Sequence, residues 1–320
     1  LLRILVSFRA FQIETIYFGR GTPSLLNGDE IKKLLDGVYS KYNVSQNAEM
    51  TLEANPDDID EIKLQQWLQA GINRLSVGLQ SFQNDDLAWM NRAHNAVQAL
   101  HCLTLIKNAG FTNFSADLIY GTPNLNDNDW KKNVQTLIDL DVPHLSCYAL
   151  TVEPNTALHK MISLKSKENV DPEKQATQFL LLMDWLNNAG YEHYEISNFA
   201  KPAFRSKHNS SYWQGKPYIG IGPSAHSFSG DVRRWNISNN SLYIQSLKNN
   251  IVPLEEEKLS ATQQVNEYIM TAIRTIEGID LDFVNTKYGE DICKQLQIAS
   301  NKYLLNHKIQ STNQKLVLTW

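Results

Sequence analysis

The residues with the most chemical potential in this chain cluster at the ends of its expected strands. One group is Ile16-Tyr-Phe-Gly-Arg-Gly-Thr-Pro-Ser24, a strand entering a Gly-rich turn, with Ser24 placed to cap a following helix. Such a turn offers backbone N–H and C=O groups to a polar ligand, and glycine lets the backbone approach it closely. The same residues also suit a plain strand-to-helix turn. Glu53, Gln80, Arg92 and Asp117 follow successive strands or open the next helix. Two carboxylates, an amide and a guanidinium fit a small zwitterion carrying sugar hydroxyls. Carboxylates take hydroxyl or ammonium donors, and arginine grips a carboxylate through two N–H groups. Singly, each is equally a surface or salt-bridge residue; the signal lies in the set.

A second group is His208-Asn-Ser-Ser-Tyr-Trp213, followed by Tyr218-Ile-Gly-Ile-Gly-Pro-Ser-Ala-His226. Imidazole is a good axial ligand for haem iron, and Tyr212 and Trp213 offer faces to a porphyrin plane. His226 is a second candidate, set after glycines that would admit a large planar ligand. In the plainer reading His208 hydrogen-bonds a turn and Trp213 packs in the core. His94, His101 and His144 have no patterned partners. Cys102, Cys147 and Cys293 are far apart with no CxxC spacing. An odd, sparse set argues for a reducing compartment, the cytoplasm, and against a disulfide framework. Cys147 lies in an expected buried strand and reads as core. Trp67, Trp89, Trp130 and Trp185 fall on helical segments and read as packing.

These side chains must be positioned by a repeated strand–helix alternation. Strand patterns cover residues 13–18, 49–53, 74–79, 114–120, 145–150 and 191–196; helical patterns cover 24–39, 60–69, 97–108, 129–139 and 173–188. The last shows Phe179, Leu182, Met183 and Leu186 in the stripe of a helix covering a sheet. Short links between such units favour a parallel sheet with helices outside, where polar residues at strand C-termini are the default site. Beyond about residue 240 the alternation stops. Helices are expected over 262–276, 281–287 and 291–306, with a hairpin over 308–319, a small winged-helix-like appendage. Residues 164–171 read as a polar surface loop, with Asp171 capping the next helix.

The bulk numbers narrow the classes. The 320 residues are 42% hydrophobic and 20% charged, as in a soluble globular protein, and suffice for one α/β domain plus an appendage. A net charge of −4 argues against non-specific nucleic-acid binding. Residues 261–320 hold six Lys/Arg and six Asp/Glu, a poor phosphate binder. No apolar run reaches the ~18 residues of a membrane span, and residues 1–8 do not form a secretory signal. No transmembrane segment is expected, which leaves peripheral membrane association open.

The ordered motifs TIYFGRGTPSLL, LEANPDD, GINRLSVGLQSF, DLIYGTP, LTVEPNTAL and YEISNFA resemble the radical S-adenosylmethionine (radical SAM) family of oxygen-independent coproporphyrinogen III oxidases and their haem-chaperone relatives. The likeness runs from about residue 14 to about residue 282. It implies an α/β fold, a partial (βα)6 TIM-like barrel of the radical SAM type over residues 1–235, and a small, mainly helical domain over 236–320. It implies that Gly19, Gly21 and Thr22 lie along the methionine part of S-adenosylmethionine. Arg92 would hold its carboxylate, and Glu53, Gln80 and Asp117 its amine or ribose. The HNxxYW pattern at His208 resembles the haem-chaperone branch, which makes haem or another porphyrin the expected cargo and haem-recipient proteins the expected partners. His208 is then the candidate iron ligand, with Tyr212, Trp213 and His226 around the haem.

Two departures stand out. The family's CxxxCxxC loop, whose thiolates hold a [4Fe–4S] cluster, is not among these residues, and residues 1–12 do not resemble the family. Radical cleavage of S-adenosylmethionine is not expected without that cluster. Arg20 stands where the family has the middle glycine of a Gly-Gly-Gly-Thr-Pro turn. Should that position need positive φ, the side chain costs on the order of 1 kcal/mol. Three functions are consistent with these residues: a haem-trafficking protein, a coproporphyrinogen III oxidase, or a cluster-free barrel binding another small ligand.

Overall fold

The computed structural model describes residues 11–319. The expectations for residues 1–10, neither a signal peptide nor a family-like segment, lie outside the described residues.

The six expected strands form as β1 (Gln12–Phe18), β2 (Asn43–Ala54), β3 (Arg74–Gln80), β4 (Phe114–Tyr120), β5 (His144–Ala149) and β6 (Glu192–Glu195). The helices between them are α1 (Gly28–Tyr39), α2 (Glu61–Ala70), α3 (Asn84–Trp89), α4 (Ala96–Asn108), α5 (Asp127–Asp139), α6 (Ala157–Ser163) and α7 (Pro172–Asn188). Of these, α3 and α6 are too short to announce themselves by periodicity. Ser24 does not cap α1, contrary to expectation. It sits in a 3-10 turn, Pro23–Leu25, and α1 is capped by Asn27 with Glu30 in a reciprocal capping box. Asp171 does cap α7, accepting from the backbone of Glu173 and Lys174.

With β7 (Asn198–Ala200), seven strands make one sheet in the order β1-β2-β3-β4-β5-β7-β6. Strands β2 to β5 pair in parallel. The unexpected member is β7 (Asn198–Ala200), which folds back from β6 and inserts between β5 and β6, antiparallel to both.

Alternate residues of a strand point to opposite faces, and here the faces differ in kind. Leu52, Leu75, Val77, Phe114, Ala116, Leu145 and Cys147 join Leu64, Trp67, Leu103, Trp130 and Leu186 of the helices in one apolar core. Each fully buried side chain of this type contributes roughly 1.5–3 kcal/mol, so this layer holds the scaffold. The opposite parity is polar: Glu49, Thr51 and Glu53 on β2, Arg74 and Ser76 on β3, Ser115 and Asp117 on β4, His144 and Ser146 on β5. A polar face lined by neighbouring strands is where a polar ligand can be held.

Contacts divide the described residues into two compact units, residues 13–40 with 44–205, and residues 11–12 and 41–43 with 206–319. The second contains α8 (Lys207–Trp213), β8 (His226–Phe228), β9 (Val232–Asn236), α9 (Asn240–Lys248) and β10 (Leu254–Lys258). It continues through α10 (Ala261–Ala272), β11 (Ile279–Asp280), α11 (Leu281–Tyr288), α12 (Glu290–Leu305), β12 (Ile309–Thr312) and β13 (Lys315–Leu318). The expected division after residue 235 falls inside β9. The expected late helices and hairpin form, with β11 added to the hairpin as a third strand. The antiparallel sheet β10-β9-β8 was not foreseen, because its strands are short and charged (Val232-Arg-Arg-Trp-Asn236, Leu254-Glu-Glu-Glu-Lys258). Among the described residues no helix is long and apolar enough to cross a membrane.

Candidate functional site

β1 runs into the turn Gly19–Thr22. Arg20, Gly21 and Thr22 take φ of 60°, 66° and 62° in succession. Left-handed backbone at a residue with a Cβ costs on the order of 1 kcal/mol, more for a β-branched one. Glu53 holds the turn: its Oε2 accepts from Arg20 N and its Oε1 from the Tyr17 hydroxyl, each at 2.8 Å. Gly19 is a steric necessity, because a Cβ there would stand 2.5 Å from Tyr17 Cε1 and 2.9 Å from Glu53 Oε1. Arg20 itself is exposed. The variant Arg20→Gly is expected to gain about 1 kcal/mol, read as a higher urea midpoint at unchanged slope. A lower midpoint would mean that the Arg20 side chain makes a contact worth more than the strain.

From Glu53 a polar row crosses the sheet. Glu53 is in register with Ser76, Ser76 with Ser115, and Ser115 with His144. One step further along, Asp117 is in register with Ser146 and Ser146 with Asn198. Ser76 Oγ donates to Asp117 Oδ2 at 3.2 Å, and Ser115 Oγ to Ser76 Oγ at 3.0 Å. Asp117 keeps some solvent access as a residue, yet its carboxyl is enclosed by protein. Burial pushes it up to about 7, against hydrogen bonds from Ser146 and Ser76 that pull it down and the Glu53 charge that pushes it further. Tyr17 is held above its ordinary range by burial and by the charges of Glu53 and Asp117, so its hydroxyl stays a donor.

Gln80 ends β3 with a φ of 69°, after an irregularity in pairing that begins at Val77. A Cβ on Gly78 would lie 3.0 Å from Gln80 Nε2 and 3.5 Å from Arg92 Nη2, which places both side chains over that glycine. Arg92 Nη2 donates to Asn55 Oδ1 at 3.0 Å and to Gly78 O at 3.3 Å, while its Nε is buried with no hydrogen-bond partner among the described residues. A buried unpaired donor of this kind is a point where a ligand acceptor fits. Asn55 and Ser24 both donate to Asp58, so the segment after the turn and the arginine belong to one hydrogen-bonded chain. Gly19, Gly21, Thr22, Glu53, Gln80, Arg92 and Asp117 thus gather along the C-terminal parts of β1 to β4 and the segments that follow them. Tyr17, Asn55, Ser76 and Ser146 belong with them. Sequence reading missed these four because each is a common strand or loop residue.

In the second unit, α8 places His208 and Tyr212 one turn apart on one face. Their rings meet edge to face at 5.0 Å. Tyr212 meets Tyr218 at 4.7 Å, and Tyr218 meets Phe228 at 6.1 Å. Phe228 lies two residues from His226 on β8, so both share a face of the small sheet. Across the strand pair, His226 faces Trp235 with ring centroids 6.4 Å apart. His208, Tyr212 and His226 therefore join one aromatic surface, to which Tyr218, Phe228 and Trp235 are additions. Trp213 is half-buried and makes no ring contact among the described residues, so it stands outside this surface. Burial lowers His208 to about 4, leaving its imidazole neutral, the form that binds iron, at neutral pH.

The thiols do not fit an iron–sulfur cluster. Cys102, Cys147 and Cys293 are free, buried and placed on α4, β5 and α12. Burial raises Cys102 to about 12 and Cys147 above its ordinary range, whereas cluster ligation requires thiolates. No group of three or more potential metal ligands exists among the described residues.

Comparison with known proteins agrees with this architecture. The Radical SAM superfamily model matches residues 1–137. The coproporphyrinogen III oxidase HemN of Escherichia coli, a radical SAM enzyme, superposes with a TM-score of 0.83 over 99% of this chain and 77% of its own, at 18% identity. The seven-stranded sheet with its polar inner face is thus a curled half-barrel of the radical SAM type. In sequence, the Heme chaperone HemW of Lactococcus lactis is 31% identical over 316 residues, covering 95% of this chain and 82% of the relative. That of Bacillus subtilis is 32% identical over 283 residues, covering 88% and 74%. The chain belongs to the HemW heme-chaperone family.

Proposed function

We propose that this protein binds haem at the aromatic surface of its second unit and S-adenosylmethionine along the half-barrel rim, and that it hands haem to recipient proteins. The neutral imidazole of His208, beside Tyr212 and the ring series that continues to His226, supports the haem reading. Imidazole is an iron ligand by type, and the rings offer flat apolar area to the macrocycle. For S-adenosylmethionine, the donor set fits a zwitterionic sulfonium nucleoside. The buried Arg92 Nε faces the need of a carboxylate, and Glu53 and Asp117 the needs of an ammonium and hydroxyls. Gly19, Gly21 and Thr22 keep backbone along the methionine part, and Gln80 adds an amide. Radical chemistry on S-adenosylmethionine would need a reducing cluster held by thiolates beside it. The thiols described above do not hold such a cluster, and none of the roles assigned here passes through one. We place the protein in the reducing cytoplasm on the strength of its three unpaired thiols.

The test is a titration of the protein with ferric haem, read in the Soret band, and with S-adenosylmethionine, read by calorimetry. A saturating one-to-one Soret change is expected. Only non-saturating, detergent-sensitive absorbance would sink the haem reading.

A further inference from the structure

The aromatic surface carries one feature that the proposed ring contacts do not use. In the antiparallel sheet β8-β9-β10, Phe228 is paired with Arg233 and His226 with Trp235, so all four side chains lie on one face. The same face continues onto β10 through Glu255, opposite Trp235, and Glu257, opposite Arg233. Arg233 is therefore the single cation on that face of the three strands, next to the ring that ends the series from His208. Arg234 points to the other face, where it pairs with Glu256 at 3.1 Å.

Haem is an apolar disc with two propionate carboxylates on one edge. A surface that takes up its iron and its rings must also meet those anions, and burying a carboxylate without a donor is unfavourable. Arg233 is built for this. Its Nη2 is tied to Glu267 at 2.6 Å, which fixes the guanidinium, while its other N–H groups have no partner among the described residues. At 41% side-chain exposure it is reachable from solvent. The acids nearby are occupied: Glu255 accepts from Trp235 Nε1 at 3.1 Å, and Glu257 from Gln263 Nε2 at 3.2 Å. A guanidinium with a free edge beside an aromatic face is the arrangement that reads a planar carboxylate.

We infer that Arg233 is the carboxylate anchor of the porphyrin surface, held in place by Glu267, and that it selects porphyrins bearing free propionates. This rests on the haem reading above, and the experiment separates the two. Soret titrations are run with ferric protoporphyrin IX and with its dimethyl ester on the wild type, Arg233→Ala, Arg233→Lys and Arg234→Ala. The wild type is expected to bind the ester about tenfold more weakly than the diacid, the weight of one charge-assisted contact. Arg233→Ala should bind both forms equally, at the level of the ester. Arg233→Lys should keep part of the preference, and Arg234→Ala all of it. The ester arm needs no substitution, so a variant that fails to fold leaves the test intact. Equal binding of both porphyrins by the wild type, or an undiminished preference in Arg233→Ala, overturns the assignment of Arg233 while the haem reading stands. Absence of any saturable Soret change in the wild type removes both.

Discussion

His208→Ala is expected to weaken haem binding at least tenfold and to shift the Soret maximum of whatever haem still binds. On the proposed haem reading, the size follows from losing the iron–imidazole bond of that proposal together with a ring that packs on Tyr212 at 5.0 Å. The pH dependence sharpens the expectation. Burial lowers His208 to about 4, so its protonated form is disfavoured and the ligand stays neutral throughout pH 6 to 8. Wild-type affinity over that range should show no transition near the ordinary histidine value of about 6.5. A depressed histidine also makes stability fall as pH drops from about 6.5 through about 4, because the unfolded chain takes up the proton first. Acid unfolding of His208→Ala should lack that contribution. An unchanged titration in the variant would strike His208 from the iron ligands.

The order of strands and helices in the first unit was legible because the apolar parity of each strand faces α-helices. Val77 and Leu79, or Ala116 and Leu118, are then recognisable as core. The rim was legible for a related reason. Glu53, Gln80 and Asp117 sit at or near strand ends in a fold whose topology sends those ends to one place. What sequence could not show is the support beneath them. Ser76, Ser115 and Ser146 are ordinary small strand residues until register sets them side by side. Ser24 is a good helix cap by type, yet its hydroxyl is worth more to Asp58, and Asn27 with Glu30 does the capping. The reversal at β7 was hidden because Asn198–Ala200 is three residues long and shares one motif with β6. The sheet β8–β10 was hidden by its charges. Arg233 and Glu257 look like solvent-facing loop residues until their pairing is known, and then they share a face with His226 and Trp235.

Asp117→Asn should separate stability from ligand binding in opposite directions. The carboxyl of Asp117 is pushed up to about 7, chiefly by burial. A carboxylate with a raised folded value costs stability as pH rises from its unfolded value of about 4 through about 7, since the folded form must give up a proton that burial makes it keep. Discounted for its partial exposure, the cost is on the order of 2 kcal/mol at pH 8. Asparagine keeps the shape and the acceptor toward Ser76 and removes that charge. Urea unfolding should therefore find the variant more stable than the wild type at pH 8, with the gap narrowing at pH 5. A gap that does not change with pH would mean that Asp117 is not the titrating group. Calorimetry with S-adenosylmethionine should move the other way, losing about tenfold in affinity as an ammonium or hydroxyl donor trades a charged acceptor for a neutral one. Those two outcomes together would make ligand binding the reason for a buried acid at this position, because folding alone favours the amide.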